Sequence, residues 1–331
     1  MGVGGPVGRL VEVPDVTALR DALRGADAEG ERVLVLGAGS NLVVSDQGFS
    51  GTVVRVGMKG CRFAREGDSV RVEVGAGEDW PSFVARCVSE GLSGVECLSG
   101  VPGTAGATPV QNVGAYGQEV SQVVTQVTVW DRSLGRARRL LSADCDFGYR
   151  TSIFKRQPRY VVTAVTFFLQ RSHLSQPLAY PELVRELGAV PGARVPLREA
   201  AEAVVELRRK KGMVLDPSDP DTRSAGSFFT NPILSDAQMS ELAALAPGAP
   251  SFAVTGGTKV PAAWLVERAG FGRGYQMGRA AISSKHTLAI TARPGATAAE
   301  VVALARAVRD GVAGRFGVRL EPEPLLVGLE L

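Results

Sequence analysis

The sequence predicts an α+β protein assembled from several small sheets rather than one large one. Two observations lead there. Short β-rich runs such as "RVLVL", "SVRVEV", "RYVVTAVTFFLQ" and "TLAIT" alternate with amphipathic helical segments along the whole chain. No segment repeats at a fixed period, which excludes a solenoid or propeller.

Asp15 is placed to cap a helix, "VTALRDALRGA", ending near Gly25. "RVLVL" then reads as a strand, "GAGSN" interrupts it, and "LVVSD" resumes extended character before "GTVVRV". "SVRVEV" from Ser69 to Val74 is the next strand. "DWPSFVARCVSEG" follows as a helix, with Trp80, Phe83, Val84, Cys87 and Val88 on one face and Gly91 at its end. "VVTQVTVWD" and "RARRLL" flank a turn at "DRSLG", and "RYVVTAVTFFLQ" is a buried strand. A Pro-containing connection, "SHLSQPLAYPELVRELG", leads to the helix "LREAAEAVVELRRKKG". Its terminal "RRKK" reads as cations that suit the helix dipole.

The last third alternates again. Helices fall at "SDAQMSELAALA", "AAWLVERAG" and "AAEVVALARAVRDGVAGRFG", and strands at "AAIS", "TLAIT" and "LLVGLEL". In the longest helix Val301, Leu304, Val308, Val312 and Phe316 share one face.

At 331 residues the chain is long enough for two or three domains. A net charge of +3, with no basic tract beyond "RRKK", argues against a dedicated nucleic-acid binder. The four cysteines, Cys61, Cys87, Cys97 and Cys145, show no metal-ligand rhythm and read as buried free thiols suited to a reducing cytosol. The N-terminus lacks a basic stretch followed by a long apolar run, and no apolar stretch approaches the ~20 residues of a membrane span. A soluble cytoplasmic protein is expected. Two histidines, His173 and His286, exclude a histidine-rich zinc site, and G-x-S-x-G is absent.

"VLVLGAGSN" invites a dinucleotide-fold reading, but Leu42 stands where the third glycine of G-x-G-x-x-G belongs. The segment that follows is strand-like, so that reading fails. A strand–turn–strand whose amides face a phosphate and a plain glycine turn both stay open. The second loop, "GVPGTAGATPVQNVGAYG" over Gly100–Gly117, carries no charged side chain. It keeps order only if its amides and carbonyls find partners. With Gln111, Asn112 and Tyr116 it suits a flat polar heteroaromatic ring bearing a diphosphate, and a purely structural loop is the competing view.

"GVPGTAGATPVQNVGAYGQE" closely resembles the flavin loop of the UDP-N-acetylenolpyruvoylglucosamine reductases. "VLGAGSNLVVSDQGFSGTVV", "FGYRTSIFK", "SAGSFFTNP", "AAWLVERAGF" and "LEPEPLLVG" resemble that family in the same order, over nearly the whole chain. The resemblance implies an FAD-binding fold of the vanillyl-alcohol-oxidase type in two small α+β subdomains, residues 1–57 and 58–210. A C-terminal α+β substrate-binding domain, residues 211–323, would follow, and the segment 324–331 could return to the first subdomain. It implies an oxidoreductase of peptidoglycan precursor synthesis, with FAD, NADPH as hydride donor and UDP-N-acetylenolpyruvoylglucosamine as substrate; no histidine falls in the glycine loops, so the FAD is expected to be noncovalent, and a monomer is expected. Another FAD oxidoreductase on the same fold and a non-enzymatic UDP-sugar or flavin sensor are the alternatives.

By the same resemblance Gly37, Ala38, Gly39, Ser40, Asn41, Gly100, Pro102, Gly103, Gln111, Asn112, Gly114 and Ala115 line the cofactor. Gly114 is expected to be glycine both for an unusual backbone angle and for close approach. Ser227 matches the proton donor, where the bland reading is a serine beside Gly226 in a turn. Arg150 matches the arginine that supports the substrate carboxylate, where the bland reading is a surface ion pair. Glu323 matches a catalytic carboxylate; Glu321 would share its face in a regular strand, which Pro322 and Pro324 make doubtful. Tyr116, Tyr180, Lys211, Asn231 and His286 match substrate positions, with Tyr180 in a loop that closes over the diphosphate. His286 taken alone is an ordinary polar histidine. No metal is implied.

Overall fold

The computed structural model describes residues 1–155 and 157–331. The chain forms two compact units. The N-terminal unit comprises 7–39 and 50–209; the C-terminal unit comprises 1–6, 40–49 and 210–331.

The N-terminal unit is built on an antiparallel sheet. Its strands lie in the order Arg136–Leu141, Val124–Asp131, Tyr160–Arg171, Ser69–Gly75 and Cys61–Glu66. The two strands that flank "DRSLG" pair as an antiparallel hairpin, with Asp131 opposite Arg136. Asp131 is fully buried at the strand end and accepts from Arg159 Nε and Nη2 at 3.0 and 2.8 Å and from Arg138 Nη1 at 3.2 Å. The helix Trp80–Ser89, capped by Asp79, buries Trp80, Phe83, Val84 and Cys87. The rings of Trp80, Phe83 and Phe167 meet at centroid distances of 5.4–5.7 Å and form the core of this unit.

A second sheet in this unit joins Val7–Val13, Phe49–Val56 and Val33–Leu36. The Val33–Leu36 strand pairs in parallel with residues 52–55. The first helix runs Val16–Ala28, past the expected stop at Gly25. A lone helical glycine costs about 1 kcal/mol, which flanking packing by Leu19, Leu23 and Ala26 overrides.

The C-terminal unit holds a four-stranded sheet, in the order Ser224–Ser227, Ala289–Ala292, Ala280–Ile282 and Gln276–Met277. The helix Ala298–Phe316 buries all five residues of its predicted face. Thr297 and Glu300 form its capping box, and Asp46 accepts from the N–H groups of Ala298 and Ala299 at 2.7 and 2.9 Å. The final strand, Leu325–Val327, pairs in parallel with Leu42–Val44. No helix among the described residues is long and apolar enough to cross a membrane.

Of the four thiols, Cys87, Cys97 and Cys145 are buried and Cys61 is half-buried. Burial pushes the Cys145 thiol up to about 11, which keeps it protonated.

Candidate active site

The two glycine-rich loops of the N-terminal unit touch. A Cβ on Gly37 would lie 2.8 Å from Thr104 Oγ1, so any larger residue at the strand end would make the Thr104 side chain shift. That loop is fixed from beneath. Ala105 and Gly106 donate to the carbonyls of Glu78 and Ala76, both at 2.9 Å, and a Cβ on Gly106 would fall 2.4 Å from Ala76 Cβ. Among the described residues, the N–H groups of Ala38, Gly39, Gly103 and Thr104 donate to no backbone acceptor. Adjacent peptide donors at a glycine turn are what an anionic diphosphate takes up.

Further along, Asn112 is buried and braces the loop. Its Nδ2 donates to Glu119 Oε2 at 2.8 Å and to the Gly148 carbonyl at 3.1 Å, while Oδ1 accepts from the Ser121 N–H at 3.1 Å. Both amide hydrogens are thereby engaged within the unit. Gly114–Ala115 and Gln118–Glu119 then form a tight hairpin whose two turn residues are Tyr116 and Gly117, at φ 48° and 89°. Two positive φ angles are what a two-residue type I′ turn needs, and Asn-Gly is the usual choice. A tyrosine there costs about 1–2 kcal/mol.

Among the described residues, Asn112, Tyr116, Asp146 and Arg150 are the non-glycine residues with positive φ, and three of them are predicted site residues. Strained backbone held by its surroundings is a mark of a functional site. Arg150, at φ 56°, donates from Nη2 to the Gly114 carbonyl at 2.6 Å. Its own carbonyl accepts from Lys155 Nζ at 2.8 Å.

Tyr116 and Tyr180 meet edge-to-face at 5.4 Å. Tyr180 is exposed and Tyr116 buried. Burial pushes the Tyr116 hydroxyl well above the ordinary phenol range, so it remains a neutral donor. The segment bearing Tyr180 rests on the hairpin: a Cβ on Gly117 would lie 3.3 Å from Ala179 Cβ.

Two charged residues in this unit carry weight that the sequence reading did not assign. Glu96 is fully buried, and its carboxylate accepts from the N–H groups of Gly94 and Gln176, both at 2.6 Å. It therefore ties the base of the Tyr180 segment to the entry of the glycine loop. Arg208, in the basic run expected to suit the helix dipole, is buried and donates from Nε to the Gly100 carbonyl at 3.1 Å. The signals were present: one charge inside the apolar run "LSGVECLSG", and an arginine next to Leu207 and four residues after Val204 on the buried helix face.

In the C-terminal unit, Ser227 ends a bulged strand. Ser224 faces Thr291 and Ser227 faces Ala289, so three steps on one strand oppose two on the other. Gly226, at φ 77°, absorbs the extra residue. A bulge re-aims the side chain that follows it, and Ser227 Oγ lies 3.2 Å from His286 Nε2. Phe228 then donates to the Leu288 carbonyl at 2.7 Å, and its own carbonyl accepts from the Glu323 N–H at 2.9 Å. Glu321 and Glu323 do not lie in a regular strand; Pro322 makes an isolated bridge to Phe229. Asn41 grips the same segment, donating from Nδ2 to the Glu323 carbonyl at 3.4 Å and accepting from the Leu325 N–H at 3.0 Å. Asn231 Oδ1 accepts from the Ala262 N–H at 2.8 Å, capping the helix Ala262–Arg268. Lys211 is half-buried just after the helix Leu197–Lys210. Ser227, His286 and Glu323 are thus gathered in one unit, while Arg150, Tyr116 and Tyr180 are gathered with the glycine loops in the other.

Residues 8–140 match the model of an FAD binding domain, and residues 216–327 match the UDP-N-acetylenolpyruvoylglucosamine reductase C-terminal domain. A UDP-N-acetylenolpyruvoylglucosamine reductase of Thermobifida fusca is 54% identical over 340 residues, covering 100% of this chain and 96% of the relative. The chain belongs to the UDP-N-acetylenolpyruvoylglucosamine reductase family. The reductase of Streptomyces coelicolor is 50% identical over 339 residues, with 99% and 88% of the two chains covered. The crystal structure of the reductase from Thermus caldophilus superposes with a TM-score of 0.66 at 26% identity, covering 98% of this chain and 94% of that one. As a member of this family the chain is an FAD-dependent oxidoreductase. The open amides of Ala38, Gly39, Gly103 and Thr104 fit the cofactor's diphosphate.

Proposed function

We propose that the chain reduces the enolpyruvyl ether of UDP-N-acetylenolpyruvoylglucosamine to UDP-N-acetylmuramate, with NADPH as the hydride source, in peptidoglycan precursor synthesis. FAD, when bound, supplies hydride to the methylene carbon of the enolpyruvyl group. Everything else falls to the side chains. The amides of the two glycine loops hold the cofactor noncovalently, with Gln111 and Ala115 beside them. Tyr116 and Tyr180 take the substrate diphosphate through their hydroxyls, and Lys211 and Asn231 bind the rest of the sugar nucleotide.

Hydride addition leaves negative charge on the neighbouring carbon, delocalised onto the carboxylate as an enolate. Arg150 supports it as a permanent planar cation. Ser227 gives the proton to that carbon. A serine is a weak acid, so its position must supply what its acidity lacks. Glu323 is the carboxylate of the site. Residues 1–57 and 58–210 serve the cofactor and 211–323 the sugar nucleotide, in a protein that works as a cytoplasmic monomer.

The observation that supports this reading most is Ser227, set by a glycine bulge and paired with a histidine, in a chain whose sequence matches the reductases end to end. An absorption spectrum tests it. The purified protein should show a flavin band that acid precipitation releases into the supernatant and that NADPH bleaches. Colourless protein that FAD does not reconstitute rejects the reading.

A further inference from the structure

Ser227 has a partner that the reaction as stated does not use. A serine that protonates carbon is left as an alkoxide, and a charged oxygen in a half-buried site is costly unless its proton is replaced. His286 Nε2, 3.2 Å away, is the group placed to replace it.

The loop that carries His286 is fixed residue by residue. Ser283 is fully buried, and its Oγ accepts from the N–H groups of Lys285 at 3.0 Å and His286 at 3.2 Å. Ser284 gives both its N–H and its hydroxyl to the Asp221 carboxylate, at 3.1 and 2.6 Å. Lys285 Nζ reaches Asp219 at 2.6 Å, and the His286 carbonyl accepts from Ala289 at 3.0 Å. These bonds hold the main chain of the loop, and so the base of the His286 side chain, beside Ser227. His286 is half-buried, so solvent reaches part of the residue.

The charged groups around this loop come from every neighbouring element. Asp219 and Asp221 flank it from the turn at Pro220–Thr222, and Lys285 belongs to the loop itself. Glu267, on the helix Ala262–Arg268, accepts from Thr287 Oγ1 and has Arg273 at 3.9 Å. The Glu323 main chain joins Phe228, next to Ser227.

We propose that His286 is the proton relay of Ser227. The Oγ–H bond breaks as the C–H bond forms. The electron pair left on Oγ takes the proton from Nε2–H of the His286 imidazolium. The neutral imidazole regains its proton from solvent, and no electrons are transferred in the relay. This rests on the reading of Ser227 as the proton donor.

The chain has only two histidines, so the His286→Gln spectrum assigns the ring protons of both by elimination. Proton NMR of the holoprotein should show His286 titrating at a different pH in Ser227→Ala than in the native chain. The single-turnover rate of enol-ether reduction should fall as pH rises through the His286 titration. In His286→Gln it should be about 10²-fold lower, without that pH dependence, and NADPH-driven flavin bleaching should stay normal. Added imidazole should restore part of the rate in His286→Gly, which a merely structural role does not allow. A native-like pH profile in His286→Gln, or a His286 titration indifferent to Ser227→Ala, overturns the relay. If Ser227→Ala itself leaves enol-ether reduction at the native rate, the underlying assignment of Ser227 fails, and the relay with it.

Discussion

Arg150 donates from Nη2 to the carbonyl of Gly114 at 2.6 Å, so the arginine assigned to the enolate and the loop assigned to the flavin are held by one hydrogen bond. Gly114 has no positive φ. The expectation that it needs an unusual backbone angle is corrected: it is glycine for space. A Cβ there would fall 2.7 Å from Glu119 Cγ, 2.9 Å from the Gln118 carbonyl and 3.0 Å from Arg150 Nη1.

Gly114→Ala should therefore displace Arg150 as well as the hairpin. Overpacking of this kind costs about 1–3 kcal/mol. FAD affinity, read by fluorescence titration of the apoprotein, should weaken about tenfold or more. Native affinity in this variant would show that the hairpin yields without disturbing the cofactor site.

Tyr180→Phe keeps the edge-to-face contact with Tyr116 and deletes only the hydroxyl. Loss of one hydrogen bond to a charged group is worth about 1.5–3 kcal/mol. The KM for the UDP-sugar should rise about tenfold or more, with flavin reduction by NADPH unaltered. Unchanged substrate kinetics remove Tyr180 from the site.

Much of this architecture is legible in the sequence, for physical reasons. The helix Ala298–Phe316 announces itself by a 3.6-residue apolar stripe and a Thr297/Glu300 capping box. The strand Cys61–Glu66 does not, because an edge strand reading C-R-F-A-R-E carries charges where a buried strand would not. The bulge before Ser227 is a matter of register between distant segments, which no local pattern reports. Glu96 and Arg208 are not legible as buried, because a charged side chain is normally solvated and Arg208 opens the basic run "RRKK". Their burial follows from backbone groups that only the folded chain brings to them.

Asp131 offers a test of stability. The Arg159 guanidinium beside it, with Arg138 and the Leu134 N–H, lowers its carboxyl to about 2. A depressed folded-state pKa gives stability that is fully present above the unfolded value of about 3.9 and lost as pH falls from there through the folded value. Asp131→Asn should melt at a lower temperature than the native chain at neutral pH. The gap should narrow between about pH 4 and 2. A gap independent of pH would mean that packing, not charge, accounts for the loss.

Ser227→Ala separates the two halves of the reaction. NADPH-driven bleaching of the flavin needs no proton at the substrate carbon and should stay close to normal. Enol-ether reduction should slow by about 10²–10⁴-fold, the usual worth of a general acid. Ser227→Cys should retain more activity than Ser227→Ala. Stopped-flow absorbance follows each half; equal slowing of both, or of neither, means that the serine serves the turn and not the chemistry.

A reductase acting on an enolpyruvyl ether is tested most directly by its stoichiometry. Beyond the one equivalent that reduces the flavin, the holoprotein should oxidise NADPH anaerobically only when UDP-N-acetylenolpyruvoylglucosamine is added, forming UDP-N-acetylmuramate in equimolar amount to that further NADPH by mass spectrometry. NADPH oxidation that depends on oxygen and ignores the UDP-sugar would make the protein an oxidase and contradict the account.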